Sequence, residues 1–433
     1  MIKVELHPTT VKMVNRKHPW ILKDSYTEKF PKREGILVGV DRTQMPVCIF
    51  LHDPSALQIK GRVWSFLQET KQERKEAIFD LDSELQHRVM QAVSKRFESK
   101  NNIYQQRNNF YLIFGEADYI PGVKVQFLNC TILIQLYTRF WQLPRYLNLL
   151  KKCLQDALSK YLPQTHIKPQ RQHFLLQYRF SGSAPTWVVD NTSNEIETKT
   201  VTVTEFGVNY ALNFELCDDG GIYSDMASVR KLMIPYIRRL LQPTVLNLYA
   251  HTGSFSLLAL ENGAQKVVSV DLSKSYLSQL ELNLQLNLKM NLQLDSGNHL
   301  SIVDSVQSAV QKLKQDRGEK FDLIISDPPS CSSDGQRVAN ALQNHQKNLP
   351  HLLELLRDNG LLLLFINTHK ISTNTFKRKV GEMISLSTLK LKLKLKSKLE
   401  VVRYFHLSED CPTLTSFPEG DYLKGVLLRL RKT

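Results

Sequence analysis

The spacing of apolar positions divides the chain into two differently patterned halves. Over roughly the first 190 residues the apolar runs are short. Residues 35–40 and 46–51 are near-continuous runs separated by Asp41-Arg42-Thr43-Gln44, and Pro8, Pro19, Pro31, Pro46 and Pro54 punctuate the segment. Short strands broken by turns in this way close most simply as a small β-barrel over residues 1–70. Residues 68–100 mix acidic and basic side chains as a solvated helix does. Strand-like runs return at 110–114 and 131–136, an amphipathic helix is predicted over 143–162, and Asp190-Asn191-Thr192-Ser193-Asn194 reads as a linker. These elements make a central α+β domain over 75–190.

From about residue 198 the rhythm changes. A hairpin over 200–214 leads into short apolar strands at 244–249, 266–271, 302–303, 321–326 and 360–367, with helical segments between them. Alternation of this βαβα type predicts an α/β domain over 195–433, built on a parallel sheet covered on both faces. The run from Leu389 to Lys396 alternates Leu and Lys, which predicts a period-2 strand with one basic face.

Charge narrows the range of partners. The 433 residues carry 57 Lys and Arg against 42 Asp and Glu, a net +15. Such an excess favours a polyanion, since each neutralised phosphate releases a counterion. Nucleic acid is therefore the expected partner. The six cysteines, at 48, 130, 153, 217, 331 and 411, form no CxxC pair, so no zinc site is expected. No run reaches the ~20 apolar residues needed to span a bilayer, and residues 1–5 lack the apolar core of a signal peptide. A cytoplasmic protein with reduced thiols and no membrane association is expected; a homodimer is left open.

Candidate chemistry sits where the α/β strands end. Val245-Leu246-Asn247-Leu248-Tyr249-Ala250-His251-Thr252-Gly253-Ser254-Phe255 is a strand, a turn at Gly253 and the start of a helix, whose positive end can face a ligand. Asp271, about 20 residues on and ending the next strand, is placed to accept from two ribose hydroxyls. Asp304 follows a third strand and is open to two roles: accepting from an adenine amine or capping a helix. Asp327 ends the fourth strand in Asp327-Pro328-Pro329-Ser330, a loop stiffened by its prolines. Four such features in order indicate a nucleoside site. The first turn lacks the GxGxxG that admits a pyrophosphate, which disfavours NAD.

Asn-x-Tyr-x-x-Thr-Gly-x-Phe at 247–255, with Asp-Pro-Pro-Ser at 327–330, resembles the signature of class I S-adenosylmethionine-dependent methyltransferases. Three further patches extend the likeness along the whole chain. They are His18-Pro19-Trp20-Ile21 with Gly61-Arg62-Val63-Trp64-Ser65, then Phe114-Gly115-Glu116-Ala117-Asp118-Tyr119-Ile120-Pro121-Gly122, and Phe417-Pro418-Glu419-Gly420-Asp421-Tyr422-Leu423-Lys424-Gly425. Together they are similar to bacterial large-subunit ribosomal RNA methyltransferases, which join an N-terminal PUA domain to a central domain and a class I methyltransferase domain. The resemblance implies a Rossmann-like C-terminal domain and S-adenosylmethionine as methyl donor. It implies donor contacts from Tyr223 and Asp225, from Asn247, Tyr249, Thr252, Gly253 and Phe255, and from Asp271, Leu272, Asp304, Ser305 and Asp327.

Two departures bear on the chemistry. The family's Gly-x-Tyr/Phe-x-Asp-Gln-Arg is here Gly221-Ile222-Tyr223-Ser224-Asp225-Met226-Ala227, without the Gln and Arg. Family members that make 5-methylcytosine carry a cysteine just after the fifth strand, where this chain reads Phe365-Ile366-Asn367-Thr368-His369. Methylation at C5 needs a thiolate to add at C6, whereas a ring nitrogen needs no such help. Asp327 is thus the expected catalytic residue on a nitrogen acceptor. Cys331, where many relatives have Phe, is the alternative nucleophile for a C5-cytosine route. A catalytically impaired RNA-binding protein is the rival from another class.

Overall fold

The computed structural model describes residues 1–67, 79–98, 103–129, 131–162, 173–188, 200–217, 219–290, 296–316, 318–329, 341–394 and 397–432. The expected linker at 190–194 and the Ser330-Cys331 pair lie outside the described residues. The chain forms two compact units, one of residues 1–197 with 410–420 and one of residues 198–409 with 421–433.

The first unit begins with β1 (Ile2–Glu5), α1 (Pro8–Asn15), β2 (Trp20–Leu22), β3 (Gly35–Val40), β4 (Pro46–His52) and β5 (Ile59–Phe66). The strands form one sheet in the order β1-β3-β4-β5-β2, parallel between β1 and β3 and antiparallel elsewhere. Leu6, Val14, Ile21, Phe30, Phe50 and Val63 fill its core. Gly61 is required there, because a Cβ would stand 2.5 Å from the Phe50 ring.

Next come α2 (Leu81–Phe97), α3 (Ile103–Gln106), β6 (Asn109–Phe114), β7 (Val123–Leu128), β8 (Thr131–Leu136), α4 (Pro144–Tyr161), β9 (His173–Tyr178) and β10 (Thr186–Val188). They build a second sheet, β10-β9-β8-β7-β6. Only β8 and β9 run parallel, and α4 supplies the crossover that a parallel pair requires. Leu85, Val89 and Val93 of α2 and Leu150, Leu154 and Leu158 of α4 pack with Val125, Ile132 and Ile134 of the strands.

The patches that carry the family resemblance in this unit converge in one network. Glu116 accepts from the Trp20 indole at 2.8 Å and pairs with Arg62. Asp118 takes Arg96 through both oxygens, at 2.8 and 2.6 Å. The 410–420 segment is tied in by Asp410, which accepts from Arg107 at 2.5 Å and from the Tyr111 amide at 2.7 Å. Farther along it, Phe417 meets the Trp20 ring edge-on at 4.8 Å, and Glu419 pairs with His18 at 3.2 Å. These motifs therefore hold the unit together.

The second unit holds β11 (Thr200–Glu205), β12 (Val208–Asn213), α5 (Ala227–Arg239), β13 (Thr244–Leu248), α6 (Ser254–Glu261), β14 (Lys266–Asp271), α7 (Lys274–Met290), β15 (His299–Val303), α8 (Val306–Asp316), β16 (Phe321–Ser326), α9 (Ala341–Leu355), β17 (Leu356–Asn367), α10 (Thr373–Lys394), β18 (Ser397–Phe405) and β19 (Leu423–Lys432). Its seven-stranded sheet runs β15-β14-β13-β16-β17-β19-β18, parallel through the first five strands. This is the Rossmann-like arrangement the βαβα rhythm predicts, and the strand order reverses between β13 and β16. In such sheets ligands bind outside the carboxyl ends of the strands at that reversal. The β11–β12 hairpin docks on α7, where Asn283 and Asn287 accept from the Ala211 and Asn209 amides, each at 2.8 Å.

One element differs from expectation. The Leu-Lys alternation predicts a strand over 389–396, but α10 continues to Lys394 and β18 begins only at Ser397. Leu and Lys are both strong helix formers, and that propensity outweighs the two-residue period here.

Candidate functional site

At the carboxyl ends of the parallel strands, the β13–α6 turn takes an unusual course. Tyr249, His251 and Gly253 all have positive φ, at 60°, 52° and 84°. At Gly253 a Cβ would meet the Leu280 side chain of α7 at 2.3 Å. Its missing side chain thus makes room for α7. Thr252 is buried and bonds to the Gly221 carbonyl, tying this turn to the segment before α5.

Asp271 ends β14 with its carboxylate held from both sides. Oδ2 accepts from the His251 amide and Oδ1 from the Ser273 amide, each at 2.9 Å. Each oxygen keeps a second lone pair with which to accept from a ligand hydroxyl. Leu272, the next residue, is 73% exposed, and Val303, in register with Asp271, is 53% exposed. Two large apolar side chains left bare beside an oriented carboxylate suit a heterocyclic ring with an attached sugar. Leu272 is among the expected site residues; Val303 is missed because its strand reads as interior.

Asp304 turns its carboxylate toward the start of α8. Oδ1 accepts from the Ser305 amide at 2.7 Å, and Oδ2 accepts from the Ser308 hydroxyl at 2.7 Å and from Lys312 at 2.8 Å. The bond from Lys312, then that from Ser308, holds this carboxyl below the usual range. Ser305 accepts from the Ser308 amide at 3.1 Å and so starts α8. Asn247 is likewise turned away. It is buried and donates to Ser256 at 2.8 Å, at the end of a polar chain through Ser269 to His299. Phe255 is also interior, 5.8 Å from the Phe365 ring.

A second cluster gathers at the ends of β13, β16 and β17. Asp327 accepts from the Asn367 amide at 3.1 Å. Burial first, then the negative charge of Asp225, pushes the Asp327 carboxyl up to about 7, against His251, Asn367 and Arg230, which act to lower it. Asp225 accepts from the Tyr422 hydroxyl. Asp219 accepts from the Tyr223 hydroxyl at 2.8 Å, from the Gly221 amide at 3.0 Å and from His251 at 3.0 Å. Burial would raise this carboxyl, yet the bond and charge of His251, with the other two donors, hold it well below the ordinary range. The His251 ring lies 4.3 Å from that of Tyr276 and 5.0 Å from that of Tyr223.

Arg230 of α5 is fully buried. It clamps Glu205 through Nε and Nη2 and donates to the Tyr223 carbonyl at 2.9 Å. Its Nη1 has no hydrogen-bond partner among the described residues. Asp219, Arg230, His251 and Asn367 are thus added to the residues named from sequence. His251 sits inside the quoted motif, at one of its variable positions. The other three have no motif to mark them.

The described thiols offer no nucleophile. Cys48, Cys153, Cys217 and Cys411 are buried and in no disulfide. Burial pushes Cys48 up to about 12 and Cys153 up to about 11.

Comparison with known proteins gives a consistent picture. A family model described as S-adenosylmethionine-dependent methyltransferase matches residues 118–391. Relatives named ribosomal RNA large subunit methyltransferase I include one from Erwinia tasmaniensis, 24% identical over 97% of each chain. Another, from Klebsiella pneumoniae strain MGH 78578, is 26% identical over 97% of this chain and 96% of its own. A solved candidate SAM-dependent methyltransferase from Streptococcus mutans superposes with TM-score 0.74 at 18% identity, over 99% of this chain and 100% of that one. A candidate methyltransferase solved with SAH gives TM-score 0.76 at the same identity and coverage.

Proposed function

Because the chain belongs to the S-adenosylmethionine-dependent methyltransferase family, we propose that it methylates a base of RNA, with large-subunit ribosomal RNA as the substrate. The observation that carries the substrate is the end-to-end similarity, over 97% of both chains, to a relative named for that activity. The net charge of +15 supports it, and residues 1–70 are the proposed additional RNA-binding domain. Buried thiols in the reduced state suit action in the cytoplasm.

The residues present fit the donor. Asp271, oriented by two amides, would accept from the ribose hydroxyls, with Leu272 and Val303 flanking the adenine. Tyr223, Asp225, Asp327 and the unsatisfied Arg230 Nη1 supply polar groups toward the methionine end. When bound, the donor supplies a methyl group on an already activated sulfonium. The chain's task is then to position the acceptor and handle its proton.

Asp327 is suited to that task. A carboxyl brought up to about 7 can exchange a proton near neutral pH. It would orient a ring nitrogen by accepting its hydrogen bond, while Asn367 fixes the carboxylate. No covalent enzyme–base intermediate is required. Cys331→Ser tests this acceptor chemistry. Retained turnover is expected. Abolished turnover, with an RNA adduct trapped by a 5-fluoropyrimidine substrate, would replace it with C5 methylation.

A further inference from the structure

The motif near the end of the chain has a second half whose contacts are its own. Phe417 and Glu419 pack within the first unit, but Asp421-Tyr422-Leu423-Lys424 belongs to the second, where Leu423 opens β19. In the antiparallel register of β17 with β19, Asn367 stands opposite Leu423 and Ile366 opposite Lys424. The motif therefore lies beside the end of β17, the strand whose Asn367 donates to Asp327.

Polar bonds fix it there. The Thr368 amide donates to the Tyr422 carbonyl at 2.8 Å. Lys424 is buried, and its ammonium donates to the Thr368 carbonyl at 3.1 Å and to the Asp421 carbonyl. The Asp421 carboxylate accepts from the hydroxyl of Thr373, the first residue of α10, at 3.2 Å. With its backbone so placed, Tyr422 donates its hydroxyl to Asp225. The main chain of Asp225 is held in turn, its carbonyl accepting from the Ser408 amide at 2.8 Å. Tyr422 thus reaches Asp225 through its hydroxyl and, through Thr368, the residue next to the Asn367 that fixes Asp327.

Those two carboxyls act on each other. Burial first, then the charge of Asp225, raises Asp327; the other charged and titratable groups around it are His251, Arg230 and Tyr223. Carboxyls close enough to interact do not both ionise readily, so one of them keeps a proton. A hydrogen bond given to the charged form favours that form. Asp225 receives one from a phenol, a stronger donor to a carboxylate than the carboxamide that Asn367 offers Asp327. Against burial, Glu205, then Tyr210 and Asp225, keep the Arg230 guanidinium charged, and Arg230 favours an ionised Asp225 in return.

We propose that Tyr422 is a positioning residue for methyl transfer: by holding Asp225 as the ionised member of the pair, it leaves the exchangeable proton to Asp327. The proposal rests on the reading of Asp327 as the group that handles the acceptor's proton.

The test follows Asp327 in the full-length protein without donor. Aspartate carboxyl carbons are labelled for NMR, the Asp327 resonance is identified by its loss in Asp327→Asn, and its titration is recorded. The parent midpoint is expected at about 7. In Tyr422→Phe, which removes only the hydroxyl, it should lie about one pH unit lower, as the proton passes in part to Asp225. Asp225→Asn removes the charge and should lower the midpoint at least as far. Adding Tyr422→Phe to Asp225→Asn should then change nothing further, a result that a merely structural role for the tyrosine does not give. The rise of single-turnover methyl transfer with pH, on a ribosomal RNA fragment at saturating S-adenosylmethionine, should move down with the midpoint. A parent-like midpoint in Tyr422→Phe would overturn the proposal, and so would a further shift in the Asp225→Asn background. A parent that shows the expected titrations but transfers no methyl group to the RNA would overturn the reading on which the proposal rests, and so differs from a failure of Tyr422 alone.

Discussion

Asp271 shows how a residue's role can be legible while its geometry is not. A strand end about 20 residues beyond the glycine turn marks an acceptor position, but the two amide bonds that aim the carboxylate are set by the fold. Removing that acceptor leaves buried hydroxyls of the donor unpaired, at about 1–3 kcal/mol. Asp271→Ala should therefore weaken donor binding roughly 5- to 150-fold by calorimetry, and parent-like affinity would contradict the assignment. Asp327 carries the pH dependence. Its folded pKa of about 7 lies above the ordinary 3.8, so between those values the native state binds more protons than the unfolded one. Stability then falls as pH rises through that window. Asp327→Asn should melt a few degrees above the parent at pH 8, the gap closing toward pH 4, while losing activity. A gap that is constant with pH would remove the titration argument. Sequence is a weaker guide to Asn247 and Asp304. Both match the expected pattern, but the side chain of one serves a buried polar chain and that of the other accepts from Ser308 and Lys312 of α8. Sequence spacing cannot tell which way a polar side chain turns.

Elements are easiest to read where one period dominates. β14 and β16 stand where the apolar runs place them, since a strand buried on both faces has little choice of residue. The amphipathic stretch at 143–162 becomes α4 for the related reason that one apolar stripe must be covered. The Leu-Lys run misleads because alternation specifies a strand only when one face is buried and the other wet; without that, helix propensity decides. The β13–α6 turn is legible as a strand, a glycine turn and a helix start. Even so, Gly253 is explained by the approach of α7, a contact with a residue 27 positions away that no local pattern contains.

For the whole molecule, the pattern separates an irregular first half from a βαβα second half but cannot show that 410–420 leaves the second unit. That segment is held in the first by Asp410 against Arg107 and by Phe417 against Trp20, pairs about 300 or more residues apart. The Phe417-Pro418-Glu419-Gly420 motif is visible in the sequence, and its partner is not. The motifs that carry the family resemblance thus divide into those that hold the first unit together and those that build the candidate site in the second. The most direct test is mass spectrometry of nucleosides from large-subunit ribosomal RNA, isolated from cells with and without the gene. The account predicts one methylated base, on a ring nitrogen, that disappears with the gene and returns with the parent but not with Asp271→Ala. Identical nucleoside profiles in the two RNAs would contradict it.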